Sequence, residues 1–349
     1  MTICRASAAL FSALVFVADC VAEPLELDAT PVPLHEENES FTRIGELDYL
    51  GGLRLSSSDP RFGGLSGLAV SSDGRRLSFV TDAGSWIRAI PRYDPRGRLI
   101  GLTAAEIGPL LRPGGQPLRK KRESDAESLS RIRDGLLVSF EHDHRFLFYG
   151  GGTNPFLNRP ILIKAPPIPG RAARNRGIEA ATYLPDGRVF AVSENVPENA
   201  PHVKAWVRVN HRWRTLAYER TTLFHPTGAA TLPDGDVLIL ERRFTYVGGF
   251  AARLVRLPAP ALRSGKFVSG QELARLEPPL IEDNFEGVDV WRDGAGRTLI
   301  YLISDDNFSR CRERFCCYFL FDPDGGCLAI SVPNRHLPAG EHLIVSLNR

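Results

Sequence analysis

The segment EAATYLPDGRVFAVSE, from Glu179 to Glu194, recurs in variant form along this chain. Apolar runs on either side of an Asp-Gly turn are a strong hairpin signal, because glycine tolerates the positive φ that the turn requires. A unit that recurs at a regular period predicts a repeat architecture. The other copies are SGLAVSSDGRRLSFVTD from Ser66, ESLSRIRDGLLVSFE from Glu127, TGAATLPDGDVLILE from Thr227 and EGVDVWRDGAGRTLIYLISD from Glu286.

The spacing of the copies predicts an all-β fold, a six-bladed β-propeller of four-stranded antiparallel blades. The copies start roughly 50–60 residues apart, slightly more than the ~40–50 residues of a four-stranded blade, which leaves room for inserted loops. At this period the chain accommodates about six blades. We expect the sixth blade to combine a strand near residues 42–55 with C-terminal strands at Phe315–Phe321 and 342–347, closing the ring across the termini.

Residues 1–22 have the pattern of a secretory signal peptide, with Arg5 before an apolar stretch and Cys20-Val21-Ala22 as the cleavage site. Lipid modification of Cys20 is the alternative interpretation. We predict an N-terminal extension over residues 23–41, a single domain over residues 42–349, and a location in the periplasm or outside the cell. No stretch approaches the ~20 apolar residues of a membrane span.

Charge and cysteine content narrow the class of protein. The formal net charge of +2 gives no support for nucleic-acid binding. An even number of cysteines in an exported chain favours disulfides. Zinc is disfavoured because adjacent residues of a strand point to opposite faces, as Cys316 and Cys317 would. The pairing stays open among Cys311, Cys316, Cys317 and Cys327.

The acidic residues at the two ends of each copy are predicted to meet at one end of its hairpin. This follows because the first strand of an antiparallel pair starts beside the end of the second. Arranged around an axis, these ends form a ring, and its carboxylates repel one another unless a cation intervenes. Calcium, which takes roughly six to eight oxygen ligands, suits such a ring. The predicted metal ligands are Asp82, Glu127, Glu141, Glu241, Glu286 and Asp305.

Longer phrases surround these acids. They are FGGLSGLAV from Phe62, DAESL from Asp125, NRGIEAATYLPDGRVFAVSEN from Asn175, PTGAATLPDGDVLILERRF from Pro226, DNFEGVDV from Asp283 and LISDDNF from Leu302. Together these segments resemble the bacterial phytase-like family, described by an esterase-like activity of phytase. The resemblance runs over most of residues 44–322 and implies a six-bladed propeller that hydrolyses phosphoesters or other esters.

Arginine residues lie beside the acids in sequence, which suits a phosphorylated substrate because guanidinium binds phosphate through a planar fork. A carboxylate-bound metal could polarise the phosphoryl oxygen and activate a water. We therefore predict a monomer that hydrolyses a small anionic phosphoester with calcium. The predicted catalytic residues are Arg145, Glu179, Glu194 and Arg242, and the predicted substrate-binding residues are Arg176, Asn195, Arg243 and Asn307.

Two other functions fit the same residues. A metal-dependent lactonase or carboxylesterase would carry fewer arginines at the mouth. A non-catalytic binding or scaffold propeller would use the acids to join neighbouring blades. A serine esterase is disfavoured, because the segment around Ser66 lacks the second glycine of a nucleophile elbow. Two copies open with Ser66 and Thr227 instead of an acid, and this lopsided ring favours a site over a purely structural repeat.

Overall fold

The computed structural model of the protein describes most of the chain, which folds almost entirely into β-strands. The described residues are 22–168, 177–194, 200–221, 223–263, 265–306 and 313–322. Their single α-helix, α1 (Lys121–Ser124), has 4 residues. Within these ranges no helix has the length and apolar character needed to cross a membrane.

Each sequence copy supplies the first two strands of one blade, and four strands precede the first copy. Those four are β1 (Glu23–Pro24), β2 (Asp28–Val32), β3 (Arg43–Ile44) and β4 (Leu47–Ser56). The first copy and the residues after it form β5 (Leu65–Val70), β6 (Leu77–Thr81), β7 (Ser85–Tyr93) and β8 (Leu99–Pro109). The second copy and the residues after it form β9 (Ala126–Ile132), β10 (Gly135–Phe140), β11 (Arg145–Gly150) and β12 (Ile161–Lys164).

The remaining copies follow the same plan. The third gives β13 (Ile178–Tyr183), β14 (Val189–Ser193), β15 (His202–Val209) and β16 (Arg212–Glu219). The fourth gives β17 (His225–Thr231), β18 (Val237–Thr245), β19 (Gly249–Leu257), β20 (Phe267–Val268) and β21 (Gln271–Leu276). The fifth gives β22 (Phe285–Arg292), β23 (Thr298–Ser304) and β24 (Phe315–Phe321), and short 3₁₀ turns lie at Pro155–Leu157 and Ala259–Ala261.

These strands form five sheets, and each sheet starts from the first strand of one copy. From the inside outward, the orders are β5-β6-β7-β8-β1, β9-β10-β11-β12, β13-β14-β15-β16-β20, β17-β18-β19-β21 and β22-β23-β24-β4-β2, with β3 paired to β4. The five inner strands pack side by side, and β22 contacts both β17 and β5. The ring of blades is therefore closed.

The fold is all-β, but the prediction of six blades was wrong. The propeller has five blades, and these contain four to six strands instead of four each. The strands expected to form a sixth blade, β4 and β24, both join the fifth sheet, where Leu47 pairs with Phe321. The prediction divided the chain length by the repeat period. That estimate was too high because inserted loops and extra edge strands were counted as part of a further blade. The segment 342–347 lies outside the described residues.

Five apolar clusters fill the interfaces between neighbouring blades. Each cluster is represented here by one buried side chain. These are Tyr301 between blades five and one, Val138 between blades one and two, Phe146 between blades two and three, Phe190 between blades three and four, and Phe319 between blades four and five. Each blade thus buries both faces against its neighbours, which places the hydrophobic stabilisation in the packing between sheets.

The Asp-Gly turns fix the direction of every blade. Gly74, Gly187 and Gly235 have φ values of +67°, +88° and +94°, a region that residues with a Cβ rarely adopt. The Asp186 carboxylate accepts a hydrogen bond from the Arg188 N–H at 3.1 Å, as a turn-forming aspartate does. All these turns lie at one end of the propeller, so the acidic residues that bracket each hairpin lie at the other end, called the mouth below.

The cysteines carry no disulfide within the described residues. Cys316 and Cys317 are buried free thiols on β24, and they pair across the sheet with residues of β23 and β4. Cys311 and Cys327 lie outside the described residues, so disulfides that involve either of them stay a prediction.

Candidate active site

The first residue of each sequence copy occupies the same irregular position in its blade. In every blade the pairing of the inner strand with the second strand skips this one residue, as a β-bulge does. Such bulges are common beside active sites, because the extra residue re-aims a side chain out of the regular pleat. The five bulge residues are Ser66, Glu127, Glu179, Thr227 and Glu286.

Two of the bulge residues join neighbouring blades. The Ser66 hydroxyl donates to the Ala126 carbonyl on the next inner strand at 2.5 Å. The Thr227 hydroxyl donates to the Phe285 carbonyl in the same manner at 3.0 Å. The hydroxyl side chains at this position therefore hydrogen-bond neighbouring blades together. The candidate site is formed by the three bulge residues that are acidic.

The three glutamates at the bulges come within electrostatic reach of one another. Burial raises the pKa of Glu127 well above its usual value, and the charges of Glu179 and Glu286 raise it further. Burial likewise raises the pKa of Glu179, and Glu194, Glu141 and Glu286 add to the rise. We call Glu127, Glu141, Glu179, Glu194 and Glu286 the ring carboxylates. Without a cation, this set disfavours its own full ionisation.

Arg242 is an arginine that lies inside the ring. Its Nη2 atom lies 3.6 Å from Glu194 Oε1 and 3.7 Å from Glu286 Oε1. The arginine counteracts the effect of burial, which raises the pKa of Glu286. Among the described residues, one guanidinium thus contacts two of the five ring carboxylates.

Asn284 is a site residue that the sequence analysis missed. Its Nδ2 donates to Glu286 Oε1 at 2.8 Å and to Asp305 Oδ2 at 3.4 Å. Its Oδ1 is buried and has no hydrogen-bond partner among the described residues. The signal was its place two residues before an opening acid in DNFEGVDV, which puts it beside the bulge.

A second group of polar side chains lies next to the ring, between blades one and two. Ligand atoms of Asp125, Glu141 and His142 lie within 4.8 Å of one another, and His142 Nε2 is 3.0 Å from Asp125 Oδ2. Lys121 Nζ contacts Asp125 at 2.6 Å and Asp82 at 2.8 Å. Burial raises the pKa of Glu141 to about 7 and raises that of Asp82 as well. We call Asp82, Lys121, Asp125 and His142 the outer cluster.

Glu241, expected as a metal ligand, has a different environment. It is fully buried. One of its carboxylate oxygens accepts a hydrogen bond from Arg253 Nε at 2.5 Å, and the other accepts one from the Tyr218 hydroxyl at 2.8 Å. In the register of blade four, Glu241 pairs with Pro226, as Ser193 pairs with Ile178 in blade three. The residue that follows, Arg242, therefore occupies the place that Glu194 has in blade three.

Two predicted arginines are engaged away from the ring. Arg145 donates to the carbonyls of Asp143 and Glu123 and lies over the Phe140 ring at 4.3 Å. Arg243 donates to Glu277 at 3.4 Å and stacks over Phe224.

The remaining predicted positions are buried beside the ring or lie beyond the described residues. Asp305 is 4% exposed and its N–H donates to the Asn284 carbonyl at 2.9 Å. Arg176, Asn195 and Asn307 lie outside the described residues.

Fold and mouth together define a class of protein, the five-bladed β-propeller with convergent carboxylates on its inner strands. The chain belongs to the phytase-like family, described as esterase-like activity of phytase, whose profile matches residues 60–308. Among curated proteins no match is found.

Solved structures share the propeller architecture at low identity. The PQQ-bound aldose sugar dehydrogenase of Streptomyces coelicolor is 11% identical, with a TM-score of 0.44 over 85% of this chain and 99% of that one. A chain of the nidogen/laminin complex is 10% identical, with a TM-score of 0.40 over 76% and 91%. A putative 6-phosphogluconolactonase of Bacteroides uniformis is 16% identical, with a TM-score of 0.34 over 86% and 80%. No functional statement follows from these similarities.

Proposed function

We propose that the protein is an exported hydrolase that cleaves a phosphoester at the acidic mouth with the help of bound calcium. The observation that carries the proposal is the convergence of the ring carboxylates. Burial raises the pKa values of Glu127, Glu179 and Glu286, and the charges of neighbouring carboxylates add to the rise. Removing that repulsion requires protons or cations. A divalent cation does so without requiring a low pH.

The donor atoms at the mouth fit calcium. Carboxylate and amide oxygens are the ligands that calcium takes in proteins, in flexible geometry. The ring carboxylates supply several such oxygens, and the buried Oδ1 of Asn284, which has no partner among the described residues, adds a neutral one. Glu127, Glu179 and Glu286 are the proposed principal ligands, with Glu194 and Asn284 beside them.

The chain's own groups divide the chemistry between them. Bound calcium would polarise a phosphoryl oxygen and acidify a water molecule. The Arg242 guanidinium, held between Glu194 and Glu286, is placed to bind and orient an anionic phosphoryl group. The Glu194 side chain is 24% exposed, so water can reach its carboxylate, and it is the proposed acceptor of the proton from the attacking water.

A neutral carboxylic ester or lactone is the second candidate substrate. The specific observation in its favour is that Arg145 and Arg243 contact other groups, which leaves Arg242 as the sole arginine of the ring within the described residues. A site with one arginine is more compatible with a neutral substrate than a site with three arginines.

Removal of divalent cations tests the proposed function. In chelator, the protein is expected to lose phosphoester turnover by about 100-fold or more and to melt at a lower temperature, and added calcium should restore both. Turnover of p-nitrophenyl phosphate, p-nitrophenyl acetate and a simple lactone should be measured in parallel. Cleavage of the two neutral substrates alone would establish the second candidate. Unchanged melting in chelator, without turnover of any substrate, would refute a cation-dependent hydrolase.

The stability of the cation-free protein is expected to fall as pH rises. Burial raises the pKa of Glu141 to about 7, and the pKa values of Glu127 and Glu179 are raised in the same direction. A carboxyl group whose pKa is higher in the folded state contributes stability below its unfolded pKa and loses it as pH rises through the folded value. The melting temperature in chelator should therefore drop by several degrees between about pH 5 and about pH 8. A flat profile would contradict this prediction, and calcium should largely remove the drop.

A further inference from the structure

A large cleft opens at the end of the propeller opposite the mouth, between blades one and two. Its volume is about 1100 Å³, which is ample for a small-molecule ligand. Its walls come from the Asp-Gly turns of β5-β6 and β9-β10, from the end of β7, and from the segment after β11. Because the hairpins run the length of each blade, the cleft is separated from the ring carboxylates by the body of the propeller.

The cleft is lined by arginine. Among the described residues, its lining includes two acidic residues, Asp73 and Asp134, and five arginines, which are Arg75, Arg76, Arg88, Arg131 and Arg133. Asp73 is engaged in its own turn, where its Oδ1 accepts hydrogen bonds from the Ser71 hydroxyl at 2.6 Å and the Arg75 N–H at 3.1 Å.

Nearby carboxylates offset part of this positive charge, since Asp73 interacts electrostatically with Arg75 and Asp289 interacts with Arg131. Of the five arginines, Arg88 forms an ion pair within the described residues, with Glu106 at 3.2 Å. Arg131 donates through Nε to the Val70 carbonyl at 3.1 Å, and Arg133 donates through Nε to the Tyr183 hydroxyl at 3.2 Å. These bonds to neutral oxygens fix the two side chains, and neither guanidinium forms an ion pair of 4 Å or less within the described residues.

Arg88 is the buried member of the group. It is 8% exposed, and its Nη2 donates to the Thr153 carbonyl at 2.6 Å. Its Nε is buried without a hydrogen-bond partner among the described residues. Burial, together with the charge of Arg76, lowers the pKa of Arg88 to about 10, although Glu106 acts in the opposite direction. Glu106 offsets part of the cost of burying this guanidinium near a second one, and a bound anion would offset more of it.

We propose that this cleft binds a soluble polyanion that carries two or more phosphoryl groups. Arginine forks match the geometry of phosphoryl oxygens, and several arginines spread around one cleft suit several anionic groups better than a single one. Apolar side chains of the lining, including Ile90 and Leu136, provide contact for the carbon skeleton of such a ligand. A flat lipid headgroup layer cannot reach Arg88, because that side chain lies inside the cleft wall.

Calorimetric titration with inorganic tripolyphosphate tests the proposal. The full protein in chelator should bind tripolyphosphate with a Kd below about 1 mM, and the affinity should fall steeply with added salt. Arg76→Gln, which removes a partly exposed charge and no ion pair to a described residue, should weaken binding by about tenfold. Arg92→Gln is the matched control, because Arg92 is exposed on β7 next to two lining residues but does not line the cleft.

The outcomes separate this cleft from the mouth. Binding that persists in Glu179→Gln, with phosphoester turnover unchanged in Arg76→Gln, supports a second site that stands even if the proposed hydrolase activity fails. Absence of binding, equal weakening by Arg76→Gln and Arg92→Gln, or binding only to vesicles of anionic phospholipid would overturn it.

Discussion

Glu179→Gln is expected to abolish the response of the protein to calcium while stabilising the cation-free form. The neutral amide removes one of the charges that raise the pKa values of Glu127 and its neighbours, so repulsion in the empty ring decreases. The same change removes a ligand oxygen with negative charge, so calcium affinity and turnover should fall by about 100-fold or more. Melting curves with chelator and with calcium, together with turnover, measure both effects.

The opposite signs of these two effects make the test sharp. A glutamate that merely joins blades by hydrogen bonding would lose stability on replacement, with and without calcium. The matched control is Glu219→Gln, an exposed glutamate at the end of β16, which should change neither quantity. A lower melting point for Glu179→Gln in chelator, combined with an unchanged calcium response, would remove Glu179 from the proposed site.

Glu241→Gln is expected to destabilise the protein by about 3 kcal/mol and to leave the calcium response intact. Glu241 is fully buried and is bound by Arg253 and Tyr218, and removal of one partner of a buried ion pair leaves an uncompensated charge. Urea unfolding at constant m-value measures the loss of stability.

A double-mutant cycle checks the origin of that loss. Arg253→Met removes the other partner, and the double variant should cost less than the sum of the two single variants, because neither charge is then left alone. Arg253 also contacts Glu272 at 3.1 Å, which keeps part of its charge compensated in Glu241→Gln. A weaker calcium response in Glu241→Gln would return Glu241 to the metal site.

Glu241 and Glu194 have different contacts, although the sequence analysis treated them as equivalent closing acids. The prediction took the first acid after each second strand as the closing residue. An ungapped alignment of LPDGRVFAVSEN with LPDGDVLILERR places Glu241 opposite Ser193 and Arg242 opposite Glu194, and the strand registers agree. Successive residues of a strand point to opposite faces. Glu241 therefore forms a buried ion pair with Arg253, whereas the next residue, Arg242, points into the ring.

The sequence by itself determined the hairpins, their direction and the acidic positions that open three of them. These are local properties, since an Asp-Gly turn with flanking apolar runs needs no distant partner to be recognised. The number of blades depended on the tertiary structure, because β4 and β24 come from opposite ends of the chain and either could have paired elsewhere. The composition of the ring also depended on it, since bulges, registers and the contacts of Arg242 and Asn284 arise only when five blades close around one axis.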